Sequence, residues 1–201
     1  MSGPCHEGVV GSGASRAQGA ALELFQVAAL MLGDEEQAVS LVERAFAEVQ
    51  ADPCADAGAA GEQARPRLIA TALARLASQH PEAFAAPPQV MEDSTCIDTD
   101  DLSAAGLSGD HLAALLNGPG TEPGPGMMRE WVESLTPSFR AIFVLRAVAG
   151  QTADETLASL RQSGAPGVAG WRREHISVAY RRALCMLASF LVTANSISEP
   201  V

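Results

Sequence analysis

Lysine is absent from this chain of 201 residues, and all 13 basic side chains are arginine. With 24 acidic residues the formal net charge is -11, and an acidic chain is a poor general binder of nucleic acid. Aromatic residues make up only 4% of the chain, but hydrophobic residues make up 47%, too many for general disorder. No apolar run approaches the ~20 residues that cross a bilayer. We therefore expect a soluble globular protein of one or two domains with no membrane partner.

Signals for a metal site, a cofactor or an enzyme are also missing. The widely separated cysteines form no CxxC motif and have no ligand spacing with the histidines. We find no Ser-His-Asp set, no paired carboxylates and no phosphate loop or nucleotide fingerprint. A basic region followed by an apolar stretch, which would indicate a signal peptide, is absent from the N-terminus. We predict no catalytic residues, no metal and no cofactor, and a cytoplasmic protein with reduced cysteines.

The charge is distributed unevenly along the chain. Residues 127–201 contain eight Arg and six acidic residues, a balance of +2, whereas residues 1–126 have a balance of -13. A partner that carries phosphate groups should therefore meet the C-terminal third first.

Apolar residues recur at helical spacing along most of the chain, and no strand pattern competes with them. A first helix is predicted to end at Gly33, a natural stop. A second begins at Asp34, whose side chain is expected to accept a hydrogen bond from the Gln37 amide. A third is expected from near Pro66 to just before His80. The predicted buried faces of the second and third helices consist of Ala38, Leu41, Val42, Ala45, Phe46, Val49, Ile69, Ala72, Leu73 and Leu76.

Proline and glycine mark a long connection in the middle of the chain. Residues 81–126 contain three early prolines and a Gly/Pro-rich run at 118–126, which indicates a linker. One short helix capped by Asp110 is predicted inside it. The fold class is therefore all-α, with two small helical domains. The predicted boundaries are a disordered lead-in at 1–17, a first domain at 18–80, the linker at 81–126, a second domain at 127–194 and a tail at 195–201.

The second domain has the pattern of a helix-turn-helix. Thr136-Pro137 is typical of a helix start, and Gly150 is expected to close that helix. Thr152 and Glu155 form a full capping box, which opens a short helix ending near Arg161. A Gly-bearing turn over 162–167 and a long helix follow. In this arrangement the second helix can enter the major groove of DNA.

The order and spacing of these residues resemble the extracytoplasmic-function sigma factors, small bacterial transcription-initiation factors with helical sigma domains two and four. Two blocks carry the resemblance, and together they span roughly residues 20–79 and 127–192. The first block consists of Gly33-Asp34, Leu41-Val42 and Phe46. The second consists of Leu135-Thr136-Pro137, Arg140, Phe143-Val144-Leu145-Arg146, Gly150, Thr152, Glu155 and Arg181-Arg182-Ala183-Leu184. The resemblance implies binding to core RNA polymerase and contact with promoter DNA through the C-terminal helix-turn-helix.

The resemblance also implies roles for particular side chains. The candidate DNA-binding residues are Arg161, Arg172, Arg173, Arg181 and Arg182. The positions that correspond to the family's polymerase-docking face are Val39, Ser40, Glu43 and Arg44, and they are candidates for binding polymerase or another partner. For both sets the alternative is a solvated helix face. The two tryptophans, Trp131 and Trp171, are interpreted as core residues because aromatic residues at helical spacing are usually buried.

Two other functions stay open. The family melts promoter DNA with aromatic and basic residues of its third helix, but residues 50–79 contain no Phe, Tyr or Trp. The chain could therefore be a sigma mimic, which binds an anti-sigma factor or another regulatory protein without initiating transcription. A helix-turn-helix regulator that binds DNA without polymerase is the third candidate.

Overall fold

A computed structural model describes residues 10–50, 56–89 and 125–197 of the chain. Within these ranges all regular structure is helical and no strand occurs, which confirms the all-α fold class. The α-helices are α1 (Val10–Leu32), α2 (Glu35–Ala47), α3 (Ala57–Gln79), α4 (Pro125–Ser134), α5 (Pro137–Phe143), α6 (Ala153–Gln162) and α7 (Arg173–Ile197). The predicted helix capped by Asp110 and the Gly/Pro-rich run at 118–126, up to residue 124, lie outside the described residues.

The chain divides into two compact units, Met1–Leu76 and Ala77–Val201. We call them the N-terminal unit and the C-terminal unit and describe each by itself. The predicted domain and linker boundaries, as well as the sigma-type layout, stay predictions.

In the N-terminal unit, a glycine and an aspartate make the connection between α1 and α2. Gly33 adopts a left-handed φ of 70°, and its amide donates to the Ala29 carbonyl at 2.8 Å, which ends α1. Asp34 Oδ1 accepts a hydrogen bond from the Gln37 amide at 2.9 Å, as the sequence predicts. Because this bond stabilises the charged carboxylate, it lowers the pKa of Asp34. The two helices pack together through a core that includes Leu24, Ala28, Met31, Ala38, Leu41 and Ala45.

Helix α3 begins earlier than the sequence predicts. Its first residue is Ala57, and Pro66, the predicted start, lies inside the helix. The Asp56 side chain accepts a hydrogen bond from the Ala59 amide at 2.9 Å and so provides an N-terminal cap. Gly61 lies inside the helix, where a small residue fits well because a Cβ at this position would lie 3.2 Å from the Ala20 Cβ. The prediction of a buried face is correct for Ile69, Ala72, Leu73 and Leu76.

Aromatic packing and a capping box organise the C-terminal unit. The rings of Trp131 and Phe143 meet edge to face at 5.1 Å, and the Phe143 ring lies 6.2 Å from that of Tyr180. The capping box is confirmed: Glu155 N–H donates to Thr152 Oγ1 at 3.2 Å, and Thr152 N–H donates to Glu155 Oε2 at 2.7 Å. The Thr152 amide and hydroxyl both donate to the Glu155 carboxylate, and these two bonds lower the pKa of Glu155, whereas burial raises the pKa of Tyr180.

Helix α5 is shorter than the sequence predicts, because residues Val144–Val148 continue as one π-helical turn. Thr136 occupies the N-cap position with Pro137 next to it, but the Thr136 side chain makes no cap hydrogen bond. Arg140 Nη2 instead donates to the carbonyls of Glu133 and Leu135, which ties α5 to the end of α4. Gly150 follows the turn with a left-handed φ of 69°, where the helix was predicted to end.

Two expectations about the chain termini and cysteines differ from the structure. Helix α1 begins at Val10, so residues 10–17 of the predicted lead-in are helical. Once a helix exists, each added residue gains a hydrogen bond without a new nucleation cost, and this favours extension into a weak sequence.

Cys185 is disulfide-bonded, so the prediction of reduced cysteines is wrong for this residue. Separation along the sequence sets no limit on distance in the fold, which is what decides disulfide formation.

Candidate nucleic-acid interface

Helices α6 and α7 and the turn between them occupy the positions of the predicted helix-turn-helix in the C-terminal unit. The turn contains two glycines with left-handed backbone, Gly164 at φ 71° and Gly167 at φ 80°. A short 3-10 turn, Val168–Gly170, then leads to Trp171, whose side chain is fully buried. The prediction that Trp171 is a core residue is confirmed, and so is that for Trp131, which is 6% exposed.

The first residues of α7 are capped by a histidine. The backbone amide of Arg172 donates to His175 Nδ1 at 2.9 Å, and the Arg172 carbonyl accepts from the His175 amide at 3.1 Å. Both bonds hold the residue before the helix against its first turn. The backbone that presents Arg172 and Arg173 is therefore fixed on both sides, by this cap and by the buried Trp171 ring.

Arg172 and Arg173 are exposed at the start of α7. In the described part of the chain, the Arg172 guanidinium makes no ion pair and no hydrogen bond. Arg173 Nε lies 3.7 Å from Asp154 Oδ2, and both side chains are about two-thirds exposed, at 65% and 68%. An ion pair this exposed is worth little, so water or a phosphate can replace the Asp154 carboxylate. Both arginines can reach an anion outside the molecule.

The remaining candidate arginines have other surroundings. Arg161 Nη2 donates to the Trp171 carbonyl at 2.7 Å, so this side chain joins the end of α6 to the start of α7. Arg182 lies with its guanidinium carbon 5.7 Å from the Phe139 ring centre, in the geometry of a cation–π contact. Arg181 is half-buried. Arg181 is about 12 Å along the helix from Arg173. Of the five candidate arginines, only Arg172 and Arg173 thus lie together at the start of α7.

Acidic side chains surround these two arginines. Asp154 and Glu155 are exposed in the first turn of α6, and Glu174 is exposed directly after Arg173. Sequence reasoning missed Asp154 as part of the site. It belongs to the surroundings of the two arginines because its carboxylate lies 3.7 Å from Arg173 Nε. The local charge balance is therefore close to neutral, although the C-terminal third is positive as a whole.

The candidate partner-binding residues lie together on the exposed side of α2. Val39, Ser40, Glu43 and Arg44 are all exposed, and Val39 is 46% exposed, a high value for a large apolar side chain. The opposite side of α2 faces the core of the N-terminal unit. The structure thus brings the four residues onto one accessible face.

The arginines of α3 are used inside the N-terminal unit. Arg65 Nη2 lies 3.3 Å from Glu23 Oε2, and Arg75 Nη1 donates to Gln37 Oε1 at 3.1 Å. Arg67 Nη1 donates to the Glu48 carbonyl. Each arginine therefore has a partner on α1, on α2 or directly after α2. With no aromatic residue over 50–79, α3 offers no stacking surface for a DNA strand, and each of its guanidinium groups already has a protein partner.

Helices α1 and α3 also line a cleft of about 410 Å³. The cleft exists because small residues leave the space between the two helices unfilled; they include Gly19, Ala20 and Gly58. Its charged residues are Glu23, Glu62 and Arg65. With two carboxylates and one guanidinium, which already pairs with Glu23, the cleft does not have the chemistry of a phosphate site.

Comparisons of the chain with protein-family models, with curated proteins and with solved structures gave no match. Among the described residues, none of the helices is long and apolar enough to span a membrane. In the same ranges no three His, Cys, Asp or Glu side chains are grouped closely enough to hold a metal ion. The function is therefore argued from the two exposed faces, at the start of α7 and on α2.

Proposed function

We propose that this chain is a sigma-factor-like transcription protein, which binds core RNA polymerase and contacts promoter DNA through its C-terminal helix-turn-helix. The observation that carries the proposal is the exposed pair Arg172 and Arg173 at the capped start of α7. Guanidinium groups bind both phosphates and guanine edges, and an HTH presents the start of its second helix to bases. The resemblance of the two sequence blocks to the extracytoplasmic-function sigma factors adds the polymerase. We infer a cytoplasmic location from this function.

The exposed face of α2 supports the polymerase half of the proposal. Val39 is an apolar side chain in water, flanked on the same helix by Glu43 and Arg44. An apolar centre with a polar rim is the common anatomy of a protein interface, and Val39 with its charged neighbours has this arrangement on a small scale. In the family this helix docks on polymerase, and we assign the same task to it here.

The test is reconstitution with bacterial core RNA polymerase. We expect the purified chain to co-elute with the core enzyme and to direct transcription from some fragments of a genomic library. Val39→Arg should weaken the complex at least tenfold, because it places a charge at the centre of the contact. Met186→Arg is the matched control, since Met186 is also an exposed apolar residue, 43% exposed, but on α7. If the parent chain forms no complex with core polymerase and directs no transcription, the proposal is refuted.

The engaged arginines of α3 favour a second candidate, the sigma mimic. A chain whose third helix has no aromatic side chain, and whose arginines there contact other parts of the unit, has little with which to hold a melted strand. It nevertheless keeps the α2 face for a protein partner. Binding to purified anti-sigma domains, together with no binding to core polymerase, would favour the mimic. Specific DNA binding without either protein would favour the HTH regulator.

A further inference from the structure

Residues 81–88, directly after α3, pack onto the helix-turn-helix within the C-terminal unit; we call them the clamp segment. The sequence assigns them to the linker because of Pro81, Pro87 and Pro88. In the structure Pro81–Phe84 form a 3-10 turn that contacts α5, and Phe84 is fully buried at 0% exposure. Pro88 is buried as well. The clamp segment is thus part of the fold of this unit.

One contact of the clamp segment is between aromatic rings. The Phe84 ring stacks on the Trp171 ring, with centres 6.3 Å apart and planes inclined by 19°. Both side chains are completely buried. Offset stacking of two buried rings stabilises beyond the area they remove from water. Phe84 therefore covers the ring that anchors the start of α7.

The second contact is between backbones at Gly167. The carbonyl oxygens of Phe84 and Ala85 lie so close that a Cβ on Gly167 would be 2.5 Å and 2.4 Å from them. Gly167 also has φ 80°, which residues with a side chain rarely adopt. Two independent reasons thus require glycine here, and one of them is the clamp segment itself.

Trp171, on which the Phe84 ring stacks, directly precedes the two exposed arginines in the sequence. The Trp171 amide donates a hydrogen bond to the Val168 carbonyl at 2.9 Å. The Trp171 carbonyl accepts one from Arg161 Nη2 at 2.7 Å. Arg172 and Arg173 follow it without an intervening residue. A shift of the Trp171 ring would therefore move the backbone from which both arginines project.

We infer that Phe84 is a positioning residue for DNA binding: through Trp171 and Gly167 the clamp segment holds the helix-turn-helix turn in its binding conformation. The DNA part of this inference rests on the proposed function, whereas the clamping of the turn does not. The consequence for domain organisation is that the C-terminal DNA-binding unit starts at the clamp segment and not at residue 127.

The experiment uses the full chain with Trp131→Phe, so that Trp171 is the only tryptophan. We compare Phe84→Ala with Leu187→Ala, which truncates another buried core residue, on α7 far from the turn. Trp171 emission and its quenching by acrylamide report the ring, and affinity for a random-sequence DNA duplex at low salt reports the arginines. Phe84→Ala should shift the emission to the red, increase quenching and weaken DNA binding at least tenfold. Leu187→Ala should lower the melting temperature but leave the emission maximum and the quenching of Trp171 unchanged and the DNA affinity within twofold of the parent.

Two further variants keep the result interpretable. Phe84→Leu, which restores most of the volume, should recover DNA affinity to within threefold. Gly167→Ala keeps Phe84 but clashes with the clamp segment, so it should reproduce the red shift and the loss of affinity if Phe84→Ala does not fold. Unchanged Trp171 emission in both Phe84→Ala and Gly167→Ala would overturn the inference. So would equal losses of affinity in Phe84→Ala and Leu187→Ala.

The inference and the proposed function fail in different ways. If the parent chain binds no DNA, the proposed DNA contact is refuted, and Trp171 emission alone then decides whether the clamp segment holds the turn. If the parent binds DNA and the Phe84 variants bind equally well, the proposed function stands and the positioning role of Phe84 is refuted.

Discussion

The arginines of α3 and those at the start of α7 carry the same charge in different surroundings. Arg65 and Arg75 are held by side chains of α1 and α2, and Arg67 by a backbone carbonyl, whereas the Arg172 guanidinium has no polar partner among the described residues. A count of positive charges therefore does not locate a nucleic-acid surface. What matters is which guanidinium groups are left over after the fold has used the others for its own hydrogen bonds.

The largest expected effect tests this contrast directly. Replacing Arg172 and Arg173 together by alanine should weaken binding to a DNA duplex about 10- to 100-fold. The slope of log affinity against log salt concentration should also become less steep, because binding with fewer phosphate contacts releases fewer counterions from the DNA. Replacing Arg65 and Arg67 removes the same charge and should change affinity less than about twofold. Fluorescence anisotropy over a salt series measures both. Equal losses in the two pairs would mean that only total charge matters.

A stability measurement should give the opposite ranking. Arg75→Ala removes a hydrogen bond to Gln37 between α3 and α2, so we expect the free energy of unfolding to fall by about 1 kcal/mol. Arg172→Ala removes no such bond and should leave it within about 0.5 kcal/mol. Urea denaturation followed by circular dichroism decides between them. A larger loss for Arg172→Ala would contradict the contrast.

Asp154 should limit the availability of the α7 arginines. Its carboxylate lies 3.7 Å from Arg173 and repels an approaching phosphate. Asp154→Asn keeps the shape but removes the charge, so DNA affinity should rise about two- to fivefold at low salt, with a smaller gain at high salt because exposed pairs are screened. Asp56→Asn, in the N-terminal unit, is the charge-matched control. No gain, or the same gain in both variants, would exclude a local effect.

Acid should weaken both units through their caps, with the smallest effect of the four. Hydrogen bonds to the charged form lower the pKa of Asp34 and of Glu155 below their ordinary values of 3.8 and 4.5. A lowered pKa in the folded state adds stability above the ordinary pKa, and this is lost as pH falls through the folded pKa. We expect Asp34→Asn and Glu155→Gln to flatten the fall in melting temperature below about pH 4. An unchanged profile in either variant would show that its cap contributes nothing.

Local chemistry made part of this fold predictable. The Asp34 cap and the Thr152–Glu155 capping box were predicted in position and in partner, because such caps involve residues three apart in the sequence. Helical spacing correctly predicted the buried face of α3 and, on α2, Ala38, Leu41, Val42 and Ala45. Phe46 and Val49 are only partly buried, and Val49 lies beyond the end of α2. The start of α3 was predicted wrongly: Pro66 resembles a first helical residue, and the glycines before it resemble a loop. The glycine at position 61 instead suits the close approach of Ala20, which is a contact between distant parts of the chain.

The candidate site divides in the same way. Exposure of Arg172, Arg173 and the α2 face agrees with the predicted positions, because a polar residue opposite a buried stripe must face water. The internal role of Arg161 was not predictable, since its partner is a carbonyl beyond the turn. Phe84 was missed for a similar reason. A single aromatic residue between prolines has no periodicity, and only its stacking on Trp171 shows that it belongs to the core.

The two left-handed glycines of the HTH turn differ in how many substitutions they should tolerate. At Gly164 a Cβ would meet nothing within 4 Å, so asparagine, which visits this backbone region, fits there. At Gly167 even the smallest side chain collides with two carbonyl oxygens. Every amino-acid replacement of glycine adds a Cβ, which is the atom that collides at this position. Codon 167 should therefore be nearly invariant in a saturation library selected for function, while codon 164 accumulates variants, so the library itself would map the clamp segment without a structure.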